Sequence, residues 1–475
     1  MRKRICWLFL LGVWLASTAE AQPIVDSSAS VAIDRYLADE MQQRQIPGLA
    51  LAVCYQGRIL KEKGYGVAEV QHQSPVTPET VFELASITKQ FTASAIMLLV
   101  QEGKVELDED IHTYLPDAPE HWRGITVRHL LTHTSGLPDM AHGFSGFDDP
   151  SFGPIGIDIS AEKAYRAAKT DTLISTPGEQ YTYSDVGYFL LGLIVQEAGG
   201  MPYREFMQTR IFDPVGMTDT YILDQAVIHP QEARGYTLQD GELVNIRRVW
   251  NYEVPSHYGI FSTVGDLARW DSVLYTEQVL TDESKAQMWS PMKLTSGRPY
   301  PYGFGWKTWT INDRLITDHT GITGTEIIRM PDDSLTIIVL TNLGRRGSAE
   351  ANPWGLAPQI ADMLGYSPYV DKAYVTLSGS KVVQGDRAAL EKPTGTYRFG
   401  TSDETRKLYV EDGQLYYDRG ESRSPLVPLD DGRYLMLGEI DEWILKELPA
   451  TPGEPARWQW LLNEQPSGVM QQEEE

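Results

Sequence analysis

Apolar and polar positions fall into blocks along this chain, and the period of each block predicts an element. Residues 31–45 read as an opening helix that stops at Pro47-Gly48. Two apolar runs follow, 49–55 and 58–63, joined by Gln56-Gly57, a hairpin signal. Gly64-Tyr65-Gly66 reads as the end of that second strand. A helix opening at Ser86 is apolar on every side over 95–100 and stops near Gly103, the pattern of a buried helix. To about residue 300 the pattern is mixed, with helical stretches at 161–169 and 188–198, the latter closed by Gly199-Gly200. Strand-like runs return at 326–330 and 334–341, a second hairpin over Pro331-Asp332-Asp333. Strands at both ends with helices between them predict an α+β fold: one antiparallel sheet completed by distant segments, flanked by helices, with a mostly helical insertion.

Past Gly365 the chain loosens into Ser, Gly and polar residues, which reads as a linker over 369–392. Beyond it, alternating runs at 395–399, 407–410, 414–418, 434–437, 442–448 and 458–462 are separated by turn residues. These predict a small all-β domain over 393–470, whose Tyr and Trp residues are read as barrel packing rather than a carbohydrate site. The tail 471–475 is polar and reads as frayed.

The first residues have the form of a secretory signal: Arg2, Lys3 and Arg4, an apolar stretch over 5–16, then Ala19-Glu20-Ala21. That stretch is shorter than the roughly 20 residues a spanning helix needs, so cleavage after Ala21 and export are expected, with no stable membrane insertion afterwards. The product is periplasmic or secreted, with residues 22–368 as its main domain. Hydrophobic residues make up 42% and charged residues 22%, an ordinary globular balance. Without the signal, 38 basic residues face 64 acidic ones, a net charge of −26 that repels nucleic acid and anionic membranes. Cys54 is then the remaining cysteine, which excludes an internal disulfide; its apolar run makes it a buried structural thiol.

The candidate chemistry lies in Phe82-Glu83-Leu84-Ala85-Ser86-Ile87-Thr88-Lys89. A serine and a lysine three apart share one face of a helix, so the amine can reach the hydroxyl. An amine held out of water loses affinity for its proton and can act as a base toward serine. The same spacing occurs at Ser160/Lys163, Ser290/Lys293 and Ser378/Lys381. The first of these is more simply a helix N-cap, the second contains Pro291, and the third lies in the linker. Ser86/Lys89 alone opens a buried helix. Tyr183-Ser184-Asp185 precedes another apolar helix, where a phenol could pass the serine's proton to a leaving group. His319-Thr320-Gly321 precedes the second hairpin, where a glycine allows close backbone approach to a substrate.

In this order the three motifs resemble the S-x-x-K serine hydrolases related to class C β-lactamases and penicillin-binding D,D-peptidases. The resemblance extends to Ile46-Pro47-Gly48-Leu49, Leu130-Leu131-Thr132-His133-Thr134-Ser135-Gly136-Leu137, Gly259-Ile260-Phe261-Ser262-Thr263, Tyr302-Gly303-Phe304-Gly305-Trp306 and Leu340-Thr341-Asn342. It covers about residues 30 to 365. It implies a β-lactamase/transpeptidase-like fold in which Ser86 is acylated, Lys89 is its base and Tyr183 is a proton shuttle or co-base. It implies an oxyanion hole from the backbone N–H groups of Ser86 and Ile322, with Asp185, His319, Thr320 and Gly321 contacting substrate and no cofactor or metal.

Two departures narrow the substrate. Asp185 stands where the β-lactamases have asparagine, and its carboxylate favours a protonated Lys89 and repels an anionic substrate. His319 stands where they have lysine, which removes a permanent charge that would grip a substrate carboxylate. Both favour a small-molecule ester, amide or peptide substrate, as for an esterase or a D-amino-acid amidase or peptidase. A β-lactamase or D,D-carboxypeptidase, and a non-catalytic binder of penicillins or cell-wall peptides, are the alternatives. Arg345 and Arg346 read as solvated, though they could form an anion site. His129 and His133 lack a third metal ligand and read as loop or core residues. Ser135 reads as a turn residue near the site.

Overall fold

The computed structural model describes residues 24–139, 157–246, 250–311, 313–345, 351–371, 374–399, 405–418, 423–439, 441–449 and 455–472. The signal-like residues 1–21, Cys6, Arg346 and the last three residues lie outside that set. Helix α1 (Ser27–Gln43) starts earlier than its apolar positions indicate, because Asp26 caps it through a 2.8 Å bond from the Ala29 N–H. Strands β1 (Gly48–Tyr55) and β2 (Arg58–Glu69) form the first hairpin, turning at Gln56 and Gly57, both with positive φ. Strand β2 does not end at Gly64-Tyr65-Gly66. It runs on to pair with β3 (Ser74–Pro75), whose neighbouring Val76 carbonyl occupies the space a Gly64 side chain would need.

The second hairpin belongs to a run of four strands, β4 (Lys307–Ile311), β5 (Arg314–Gly321), β6 (Thr325–Met330) and β7 (Leu335–Thr341). The sheet order is β4-β5-β6-β7-β1-β2-β3, so the N-terminal strand closes against the last one, with Leu49 opposite Thr341. Every adjacent pair is antiparallel. One face packs on the buried helices α2 (Thr88–Gln101), α3 (Asp185–Gly199) and α4 (Val264–Val273). The other face packs on α1 and α5 (Leu356–Met363). Helices α2 and α3 differ from surface helices because they are buried on every side over residues 88–99 and 186–195.

Eight strands form a closed C-terminal barrel: β8 (Gly395–Phe399), β9 (Thr405–Glu411), β10 (Gln414–Asp418), β11 (Arg423–Pro428), β12 (Tyr434–Met436), β13 (Trp443–Glu447), β14 (Arg457–Leu462) and β15 (Gln465–Gln472). Tyr397, Tyr417, Tyr434, Trp458 and Trp460 are buried together inside it. Gln471 and Gln472, which read as frayed in the sequence, pair with Arg398 and Tyr397 and close the barrel. Within 369–392, Val370 and Tyr374 are buried and a short helix spans Arg387–Glu391. Cys54 is buried, and burial pushes its thiol pKa up, as expected for a structural residue. Among the described residues no helix is long and apolar enough to cross a membrane.

Candidate active site

Ser86 sits in a tight turn, Ala85–Ile87, immediately before α2 rather than in its first α-helical residues. Ala85 has φ of 47°, a left-handed conformation strained for a residue with a side chain. The surroundings hold that strain in place. The Thr323 hydroxyl donates to the Glu83 carbonyl at 2.6 Å, and the Thr325 hydroxyl to the Leu84 carbonyl at 2.9 Å. The β5–β6 turn is thereby stapled to the serine turn. Gly321 permits this, because a Cβ there would lie 2.2 Å from Thr325 Oγ1 and 2.3 Å from the Leu84 oxygen. The close approach its glycine allows is thus to the chain's own serine turn.

Lys89 is fully buried on the first turn of α2. Its amine lies 2.7 Å from Asp185 Oδ1, 2.8 Å from the His257 carbonyl and 3.2 Å from Ser86 Oγ. Burial by itself would lower its pKa, but Asp185 and Tyr183 outweigh burial and hold the amine above its usual range. All three ammonium hydrogens then have acceptors. The His257 carbonyl is delivered by a segment anchored to α2, where the Thr92 hydroxyl donates to Ser256 O at 2.6 Å.

Tyr183 ends the loop into α3, whose N-cap Ser184 accepts from the Gly187 N–H at 3.2 Å. Its ring lies 4.8 Å from the Lys89 amine, and its phenol engages both Lys89 and Ser86. Burial raises the phenol's pKa, an effect the Lys89 charge partly offsets. Ser86, Lys89, Tyr183 and Asp185 are therefore brought together around one buried amine.

His319 is buried on β5, and both ring nitrogens are engaged within the protein. Nδ1 lies 2.8 Å from the Thr320 carbonyl, and Nε2 lies 3.1 Å from the Tyr302 hydroxyl. Burial and the nearby Lys89 charge push its pKa down to about 3, so it is neutral. Ile322, past the triplet, is 44% exposed. Arg345 lies 5.6 Å over the Trp354 ring, and its backbone N–H donates to the Ile322 carbonyl at 2.8 Å. Ser135 accepts from the Leu137 N–H in a local turn. Sequence reasoning missed the His257 carbonyl, which any residue type can supply, and gave His133 and Tyr302 no role at the site. Their signals were the Thr-His-Thr-Ser-Gly and Tyr-Gly-Phe-Gly-Trp stretches.

The serine turn, the tyrosine loop and the β5 edge converge in a fold of the penicillin-binding-protein-like hydrolases, and the chain belongs to the Beta-lactamase family, whose model matches residues 33–360. It is 29% identical over 451 residues to penicillin-binding protein 4* of Bacillus subtilis strain 168, covering 89% of this chain and 94% of that one. It is 30% identical over 332 residues to protein flp of Staphylococcus aureus strain N315, covering 66% of this chain and 62% of flp. In fold it is similar to the octameric penicillin-binding protein homologue from Pyrococcus abyssi, with a TM-score of 0.63, 24% identity, and coverage of 93% of this chain and 100% of that one. EstCE1, a hydrolase with promiscuous acyltransferase activity, also shares the fold: TM-score 0.61, 20% identity, coverage of 72% and 99%.

Proposed function

We propose that this protein is an exported serine hydrolase that forms an acyl-enzyme on Ser86 and cleaves esters or neutral amides. The observation that carries this reading is the set of partners around Lys89. When the amine loses its proton, two N–H bonds remain, and Asp185 and the His257 carbonyl can only accept. The lone pair is then left for the two hydroxyls, Ser86 Oγ and the Tyr183 phenol, and from Ser86 it can take the proton that makes the nucleophile. The serine oxygen attacks the substrate carbonyl, and the oxyanion is received by the backbone N–H groups of Ser86 and Ile322. Lys89 returns the proton to the leaving group through Tyr183, and water then releases the acyl group by the same route.

The substrate class follows from charge. His319 is neutral and Asp185 carries the negative partner of Lys89, so a substrate carboxylate meets no fixed cation in the triplet. This favours esters, or D-amino-acid amides and peptides, over β-lactams. The signal-like residues 1–21 support export.

A fluorophosphonate or nitrophenyl ester should label Ser86, as read by mass spectrometry, and Ser86→Ala and Lys89→Ala should remove that labelling. Full turnover in either variant would sink the reading. A panel of short esters, D-amino-acid amides, D-Ala-D-Ala peptides and cephalosporins should favour the first two classes. Labelling without turnover on any of them would point to a binding protein instead.

A further inference from the structure

His133 has φ of 56°, left-handed for a residue with a bulky side chain, and it is fully buried. Its surroundings account for that conformation. The Thr182 N–H donates to the His133 carbonyl at 2.8 Å. The Ser184 N–H donates to His133 Nδ1 at 3.0 Å. Between those two residues, the Tyr183 ring lies against the imidazole with centroids 4.2 Å apart and planes 31° from parallel. One side chain and its own carbonyl therefore hold both backbone neighbours of Tyr183 and the face of its ring.

The other ring nitrogen continues the connection. A backbone N–H can only donate, so Nδ1 accepts and the neutral ring carries its hydrogen on Nε2. Nε2 then donates to the Tyr302 hydroxyl at 3.2 Å. That hydroxyl donates to His319 Nε2 at 3.1 Å, and His319 Nδ1–H donates to the Thr320 carbonyl at 2.8 Å. Every donor in this relay meets an acceptor in one direction only. A proton added at His133 Nδ1 would face the Ser184 N–H. Burial first, and then the Lys89 charge, keep His133 neutral, in agreement with that polarity.

We propose that His133 is a positioning residue for the acyl-enzyme chemistry: it holds Tyr183 at Ser86 and Lys89. The inference rests on the serine hydrolase reading above. His133 touches no reacting atom, and its effect passes through the tyrosine loop. Displacement of a catalytic group by about 1 Å can cost roughly a hundredfold in rate.

The test compares the full-length protein with His133→Ala, His133→Asn and His133→Gln on a nitrophenyl ester, alone and in a Tyr183→Phe background. Asparagine keeps an acceptor at the Nδ1 position, whereas glutamine keeps a donor toward Tyr302. The expected result is a kcat lowered roughly a hundredfold in His133→Ala with KM little changed. His133→Asn should recover most of that loss and His133→Gln should not. With Tyr183 already phenylalanine, the His133 substitutions should add almost nothing, because both act on one group. Near-UV circular dichroism checks the fold, and where His133→Ala fails to fold, the Asn and Gln variants decide. Losses that multiply with Tyr183→Phe, or equal loss in Asn and Gln, would overturn the proposal. Wild-type protein unlabelled at Ser86 would overturn the hydrolase reading and this inference together. Labelling at Ser86 at an undiminished rate in His133→Ala would overturn this inference alone.

Discussion

Lys89 has four neighbours that accept a hydrogen, and only the hydroxyls of Ser86 and Tyr183 can also give one back, whereas Asp185 and the His257 carbonyl cannot. That asymmetry makes the pH dependence of the reaction a property of Asp185. The carboxylate stabilises the ammonium form, so the amine must be titrated from above its ordinary range before it can take the serine's proton. The rate on a neutral ester should therefore rise with pH into the alkaline region. Asp185→Asn removes the negative charge and lowers the Lys89 pKa, which moves the midpoint of that rise to lower pH. A profile of kcat/KM against pH reads the shift. An unmoved or upward-moved midpoint would show that Lys89 does not carry the titration. The sequence predicts the presence of this pair but not its strength, since Asp185 lies 96 positions from Lys89 and only the fold sets the 2.7 Å between them.

At the scale of elements, periodicity and turn residues suffice for the two most apolar hairpins, whereas β4 and β5, joined by an equally local turn, are not predicted from the sequence. The β1–β2 and β6–β7 hairpins and the helix α2 follow directly from Gln56-Gly57, Pro331-Asp332-Asp333 and the buried run after Lys89. Strands β11 and β15 escaped notice because Pro425, Pro428 and Pro466 interrupt them and β15 is largely polar; their backbone pairing depends on barrel closure. A comparable long-range contact fixes the strand that bears His319. Glu326 on β6, paired with Thr320 on β5, is buried and caps α5 by accepting from the N–H groups of Gly355, Leu356 and Ala357. Glu326→Gln sets an amide donor against donors and leaves at least one N–H unsatisfied. The expected cost is about 2 kcal/mol of stability, read as a lower denaturant midpoint at unchanged slope. A midpoint equal to wild type would mean that α5 is held by its apolar face alone.

For the whole molecule, the question is what the barrel contributes to a site whose named residues all precede residue 323. Val427, Leu429, Leu435, Ile444 and Leu461 of the barrel share one buried cluster with Trp309, Ile311 and Ile316 of the sheet and Ile33 and Leu37 of α1. Polar contacts flank that cluster: Lys307 to Asp441 at 3.5 Å, and Arg298 to the Glu464 carbonyl at 3.2 Å. From there the contacts lead to the site, since Tyr300 engages Asn463 and stacks on Tyr181 at 4.0 Å, and Tyr181 adjoins the Tyr183 loop. One side of the barrel is therefore packed into the cluster on the sheet face that carries α1 and α5, and its removal exposes that face beside Tyr181 and Tyr300. Ending the chain at residue 392 should lose on the order of several kcal/mol of apolar burial, with a lower thermal midpoint and increased binding of an apolar dye. Ester turnover should fall as well, because the Tyr181–Tyr300 stack loses its outer support. A truncated chain that unfolds at the wild-type midpoint with wild-type turnover would show that the barrel is only tethered to the hydrolase domain. Reduced stability with unchanged turnover would confine its role to covering the sheet.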